Sequence, residues 1–507
     1  MRRRRSSGDH PPLTSSTAAA ALFLSLFLPT AGAFTVTVSD SGAPSALVDA
    51  PQTGFSMKRD GGRTDPKEQK AVYEIMKATG NEWATTIPDV CKERWHGIEC
   101  MPDKDQTYHV VSLSFGALSD DTAFPTCDPD RSFLSPALAA LPHIRALFFY
   151  RCFAGNPQPL PPFLGRLAPT LQSLVLRDNA HVGPIPPELG NLTRLRVLDL
   201  HANRLDSAIP ASLASGLSSL RSLDLSANRL SGPLPDLPTD SLNVLDLSNN
   251  LLAGPIPPSI GSARSLIKMD LSRNRLTGPI PDTLSGITSL ALLDLSYNRL
   301  SGPLPDTLTT GPVSLRTLIL KSNPMAGTQI PPQGFSRLKN LTVLVLSDAG
   351  LTGSIPDSLG RLPALRVLHL DRNRLNGTIP GSLRRLRDLK ELRLNDNRLV
   401  GPIPFDREMV WRMGRKLRLA NNSALCCRPD DEGGRDRDAD PEETASFLLG
   451  IGYCDPEGVP GSGTATATEH FLSSDGPSPS EESTSSLPVS GGRRIGRRVL
   501  VWNWDDP

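Results

Sequence analysis

The sequence predicts an α/β solenoid: a curved superhelix of short stacked turns, with a parallel β-sheet on its concave face and disulfide-stapled caps. Three observations predict it. From about residue 171 the chain repeats L-x-x-L-x-L-x-x-N-x-L-x-G-x-[IL]-P at intervals close to 24 residues. Its 48 Pro and 41 Gly are spread regularly through the 507 residues, too many breakers for long helices. Its seven cysteines all lie outside the stretch 153–425. A period and pattern of this kind define a leucine-rich repeat, in which each turn buries its apolar edge only against its neighbours.

Composition narrows the function classes. With 54 Lys+Arg against 53 Asp+Glu the formal charge is +1, which gives no whole-molecule reason to expect nucleic acid or an anionic membrane as partner. Residues 1–33 read as a secretory signal peptide: Arg2 to Arg5 form a basic n-region, Ala18 to Leu28 an apolar core, and Ala31-Gly32-Ala33 a small-residue cleavage site. Later apolar runs fall well short of the ~18 residues needed to cross a bilayer. Residues 34–64 are expected to be a flexible segment.

The N-terminal cap is expected over 65–132. Asp65-Pro66-Lys67-Glu68 supplies an N-cap, a Pro at N1 and a Glu at N3, followed by apolar Ala71, Val72, Ile75 and Met76 and then Gly80 as a stop. The first strand is placed at Val110 to Phe115. In an oxidising compartment the cysteines read as terminal staples, with Cys91 to Cys100, Cys127 to Cys152 and Cys426 to Cys454 as the preferred pairs. Cys427 is left over, and exchange with Cys426 stays open. The spacing lacks the short C-x(2-4)-C pairs of a zinc site, and no His pair supplies the other ligands.

The repeats are expected over 133–425. The Asn position recurs at 179, 203, 228, 250, 274, 298, 323, 373 and 397, with Ala349 in one slot and Cys152 in another. An amide both donates and accepts, so an Asn on each turn can bond its own and the neighbouring coil. At about 4.8 Å per strand, roughly eleven turns make a sheet about 50 Å long. The C-terminal cap is expected over 426–455, and 456–507 as a disordered Ser/Thr/Gly/Pro-rich tail. Four sequons, at Asn191, Asn340, Asn376 and Asn421, are candidate glycosylation sites.

Ligands would be read by the outward positions of the sheet. Asp199, Asp224, Asp246, Asp270 and Asp294 form one column, which gives way to Ile319, Val345, His369 and Arg393. Neighbouring columns vary from turn to turn, and Arg273, Tyr297, Lys321, His369, Arg372 and Arg393 are the candidate partner-binding residues. No catalytic, cofactor-binding or metal-ligating set is called: G-x-S-x-G, H-E-x-x-H, a Gly-rich phosphate loop and the kinase motifs are all absent from the sequence. The chain is therefore expected to bind without turnover.

Three stretches carry a family resemblance: 69–132, the strand Ala146-Leu-Phe-Phe-Tyr-Arg-Cys152, and Leu394-Asn-Asp-Asn-Arg-Leu-Val-Gly-Pro-Ile-Pro-Phe-Asp-Arg-Glu-Met-Val-Trp-Arg-Met413. Over about residues 67 to 425 the chain resembles the plant leucine-rich-repeat receptor-like proteins. The resemblance implies a kinase-less cell-surface co-receptor in stomatal patterning. It would act with ERECTA-family leucine-rich-repeat receptor kinases on secreted cysteine-rich epidermal patterning factor peptides, on the extracellular side of the plasma membrane. The family ends in a hydrophobic attachment segment, whereas this chain ends GGRRIGRRVLVWNWDDP. Membrane attachment is left open, and the chain as written would be secreted. The alternative from another class is a secreted inhibitor of cell-wall-degrading enzymes, similar to the leucine-rich-repeat inhibitors of polygalacturonase.

Overall fold

The computed structural model describes residues 62–427 except 93–96, 117–124, 168, 238–240, 336 and 423, together with 451, 452, 454 and 455. The stretch 1–33 expected to be a signal peptide, most of the 34–64 segment and the expected tail 456–507 lie outside the described residues.

Pro66–Ala78 is the capping helix. Asp65 caps it, Oδ1 accepting from the Lys67 and Glu68 amides at 2.8 and 3.1 Å, and Gly80 leaves it with φ +82°, a conformation without a Cβ penalty. The helix buries Ala71, Val72, Ile75 and Met76 against the first turns. Beside it stands a hairpin that the sequence reading did not contain: Ile98–Pro102 pairs antiparallel with Tyr108–Phe115, with a bulge between Glu99 and Cys100. The strand placed at Val110 starts two residues earlier. Its partner lies at the end of the cysteine loop, where no alternation of apolar residues marks it.

From Tyr108–Phe115 onward every pairing in the main sheet is parallel. Among the described residues the sheet has fourteen strands, the last of them Leu417–Arg418. Typical rungs are Val244–Asp246, Lys268–Asp270 and Leu292–Asp294, paired residue for residue with no slip. The inward side chains of these rungs form one continuous apolar column, among them Leu245, Met269, Leu293 and Leu318 at 0% exposure. In the first turns aromatics fill the same space. Phe115 stacks on Phe149 with ring centroids 5.0 Å apart, and Phe153 follows at 5.6 Å.

The asparagine ladder satisfies the backbone where the strands turn off. Asn274 is representative: its Oδ1 accepts from Leu252 N–H of the preceding turn at 3.0 Å, and its Nδ2 donates to Leu247 O at 2.9 Å and Leu271 O at 3.1 Å. The ladder runs one rung beyond the sequence reading, to Asn422, which accepts from Leu399 N–H. The residue before each rung is left-handed, from Arg151 through Arg273 (φ 54°) and Tyr297 (φ 53°) to Asn421. Such a backbone costs a non-glycine residue on the order of 1 kcal/mol, and the buried amide bonds at each corner offset it.

On the opposite side, short 3-10 turns such as Pro187–Asn191 and Pro258–Ser262 stack on one another. Gly261 permits the approach: a Cβ there would lie 2.3 Å from the Thr283 carbonyl oxygen. A secondary sheet flanks the main one in two four-stranded pieces and one two-stranded piece. The gap between the four-stranded pieces, from Arg299–Leu300 to Thr352–Ser354, coincides with the longer Gly327–Pro331 segment and with Ala349.

Candidate protein-recognition face

The exposed edge of the rungs is built by the period of two. In Lys268-Met269-Asp270 the Met points into the core at 0% exposure while Lys268 and Asp270 stay at the surface. Parallel in-register pairing then sets like positions side by side, so Asp199, Asp224, Asp246, Asp270 and Asp294 stand on five adjacent strands.

Each of these carboxylates is held by its own turn. Asp199 accepts from His201 N–H, Asp224 from Ser226 N–H and Asp294 from Ser296 N–H at 2.9–3.0 Å, while Asp246 and Asp270 each take a Ser amide at 3.1 Å and its hydroxyl at 2.7 Å. Burial and neighbouring carboxylates favour the protonated form of Asp199, Asp270 and Asp294. Burial, reinforced by the Asp224 carboxylate and opposed by Arg177, raises Asp199 to about 7. Burial and Asp270 raise Asp294 to about 6. Lys268 Nζ lies 2.7 Å from Asp246 Oδ2; burial pulls its pKa down, Asp246 pulls it up, and the net is a rise. Carboxylates locked in this way serve as hydrogen-bond caps of their own turns, and the strip forms an acidic floor.

Farther along, the column turns apolar at Ile319 and Val345 and then basic. The structure brings three of the candidate residues together: Arg273 Cζ lies 4.5 Å and Lys321 Nζ 5.2 Å from the Tyr297 ring centroid, so one aromatic ring organises two cations from adjacent turns. A second group forms around Glu391. Its Oε1 is 2.7 Å from Arg393 Nη2 and 3.1 Å from His369 Nε2. Burial and the Arg393 cation hold the His369 pKa below its ordinary value. Arg372 stands apart from both groups, exposed at a left-handed corner.

Sequence reasoning missed Lys268 and Glu391, which neutralise Asp246 and Arg393. They belong to a column in which most turns carry Val, Ser, Thr or Leu; strand register places Lys268 beside Asp246, whereas Glu391 meets Arg393 two residues along its own strand. The structure joins Cys91 to Cys100, Cys127 to Cys152 and Cys426 to Cys454. Cys427 is buried, and its backbone exchanges hydrogen bonds with Gly452 and Cys454. Asn191, Asn340, Asn376 and Asn421 are all exposed, in contrast to the buried ladder amides. Among the described residues no helix is long and apolar enough to cross a membrane.

Three stretches, 169–230, 240–300 and 313–375, match the leucine rich repeat family model. Over 176 residues the chain is 66% identical to Protein TOO MANY MOUTHS of Arabidopsis thaliana, a stretch covering 35% of this chain and 36% of that protein. The aligned stretch is shorter than the 67–425 resemblance, and the chain spans about a third of that relative's length. Among solved structures, PEPR1-AtPEP1 superposes with a TM-score of 0.54 at 28% identity, covering 71% of this chain and 52% of that one. The plant peptide hormone receptor RGFR1 in complex with RGF2 superposes with a TM-score of 0.50 at 26% identity, covering 60% and 52%.

Proposed function

We propose that this leucine-rich-repeat chain, similar to TOO MANY MOUTHS, is a kinase-less receptor-like protein of the extracellular face of the plant cell. It would act as a co-receptor with ERECTA-family leucine-rich-repeat receptor kinases for secreted cysteine-rich epidermal patterning factor peptides in stomatal patterning. The observation that carries this reading is the 66% identity over 176 residues. The likeness to receptor ectodomains, one of them in complex with a peptide hormone, supports the coarser part of it.

The geometry supports binding without turnover. A sheet fixed by side-chain amide bonds on most turns and stapled near its ends presents its side chains with little conformational freedom left to lose, which lowers the ordering cost of capturing a peptide or a second ectodomain. The Arg273–Tyr297–Lys321 group is a rigid, partly buried aromatic with two cations, the composition from which interface anchors are made. Its chemistry suits an acidic or carboxylate-bearing surface.

Calorimetry of the purified full chain against an ERECTA-family ectodomain, with and without an epidermal patterning factor peptide, tests the reading. Saturable association in either arm is expected. Heats indistinguishable from dilution in both arms would remove it.

A further inference from the structure

Away from the recognition face, three side chains converge where the capping helix meets the first turns. Glu68, from the helix, is 2% exposed, and its Oε1 lies 2.7 Å from His109 Nδ1 and 3.3 Å from His143 Nδ1. His109 lies on the Tyr108–Phe115 strand, and His143 precedes the next strand, Ala146–Phe149. The three ligand atoms all fall within 4.8 Å of one another. We propose that Glu68, His109 and His143 form a binding site for one divalent transition-metal ion of the zinc class, which clamps the capping helix to the first two turns.

The donor set is the first argument. Two imidazole nitrogens and a monodentate carboxylate oxygen suit zinc, with ligand distances of about 2.0–2.2 Å and a tetrahedron edge of about 3.3 Å. The Glu68–His143 separation already has that length, and the Glu68–His109 pair opens to it with a small ring rotation. Both rings turn the same nitrogen toward the same oxygen atom.

The surroundings supply what a metal site needs beyond its ligands. Glu68 Oε2 accepts from Val110 N–H at 2.7 Å, which fixes the carboxylate and leaves Oε1 to coordinate. The two rings sit with centroids 4.0 Å apart, side by side against the same carboxylate oxygen. The His143 side chain is 47% exposed, giving an entry path and room for a water as fourth ligand. Glu68 occupies the N3 position at which a capping box would turn back to the N-cap amide, yet Asp65 N–H instead donates to Tyr108 O. That leaves the Glu68 carboxylate for the histidines.

Because the ligands come from segments 41 and 75 residues apart, the ion binds the folded chain only and raises its stability by mass action. The test uses the untagged full chain, freed of metal by a chelator. Zinc titrated by calorimetry is expected to bind with a component of one-to-one stoichiometry. The melting temperature should rise by roughly 3 °C at a hundredfold excess over the dissociation constant. Cobalt substituted for zinc should give the visible absorption of a tetrahedral nitrogen and oxygen site. His143→Gln, half-exposed and tolerant of change, should weaken that binding at least tenfold, and Glu68→Gln likewise. Calcium, which prefers all-oxygen sets, should not compete. The proposal is overturned if zinc shows no saturable binding, if His143→Gln retains the full affinity and melting shift, or if calcium binds as tightly.

Discussion

Ala349 N–H donates to Asn373 Oδ1 at 3.0 Å, and the same oxygen accepts from Leu351 N–H at 3.0 Å. One amide thus serves two donors next to the rung where the ladder has no amide of its own. The consequence reaches the preceding turn. Where other turns send the corresponding N–H forward to the next Asn, Met325 N–H folds back to Asn323 O at 2.8 Å. The backbone remains satisfied, but through a local turn, and the secondary sheet is interrupted over the same stretch.

Asn274→Ala is expected to destabilise the chain by about 1–3 kcal/mol, because it leaves the buried Leu252 N–H and Leu247 O without their partner. Asn373→Ala should cost more, since two donors lose their acceptor. Exposed Asn376→Ala is the control and should stay within about 0.5 kcal/mol. Denaturant unfolding of the purified chain measures all three, and equal effects at Asn274 and Asn376 would contradict the ladder account.

Gly261→Ala is expected to cost about 1–3 kcal/mol through overpacking, as its Cβ would meet the Thr283 carbonyl at 2.3 Å. Gly183→Ala is a contrasting case. No atom lies within 4 Å of the added Cβ there, but φ is +75°, so only backbone strain opposes it, and a smaller loss is expected in the same assay.

The acidic column makes stability fall as pH rises from the unfolded value of 3.8 through the folded values of about 6 and about 7. Asp199 and Asp294 have folded pKa values raised to about 7 and about 6 from 3.8, so the folded chain holds protons that the unfolded chain has already released. The contribution is fully present below the unfolded value and is lost as pH climbs through the folded ones. Buried His181, lowered to about 4, acts with the opposite sign between about 4 and 6.5. Above pH 6.5 the aspartates therefore dominate. Asp199→Asn should flatten the decline of melting temperature between pH 6.5 and about 8, and an unchanged slope would place the titrating groups elsewhere.

For the recognition face, Tyr297→Ala should leave stability within about 1 kcal/mol while lowering affinity for the receptor-kinase ectodomain at least tenfold, the loss of an aromatic anchor with its two cations. Charge reversal at Arg273 and Lys321 should have the larger effect at low salt. Undiminished binding in all these variants would move the interface off this part of the sheet.

The sequence by itself determined the solenoid, because a 24-residue period with Leu at fixed offsets can bury its apolar residues only by stacking, and an Asn on each turn has one structural use there. It also marked the columns that face outward, because alternation along a strand is local. Register and distance belong to the tertiary structure. Lys268 meets Asp246, and Arg273 and Lys321 meet Tyr297, only once neighbouring turns lie in parallel register, and sequence spacing does not fix which column lies beside which. The antiparallel hairpin and the convergence of Glu68, His109 and His143 were likewise decided by packing. Those three residues come from a helix, a strand and a connecting segment with no shared period, so the buried carboxylate and its two imidazoles meet only after the cap has docked on the first turns.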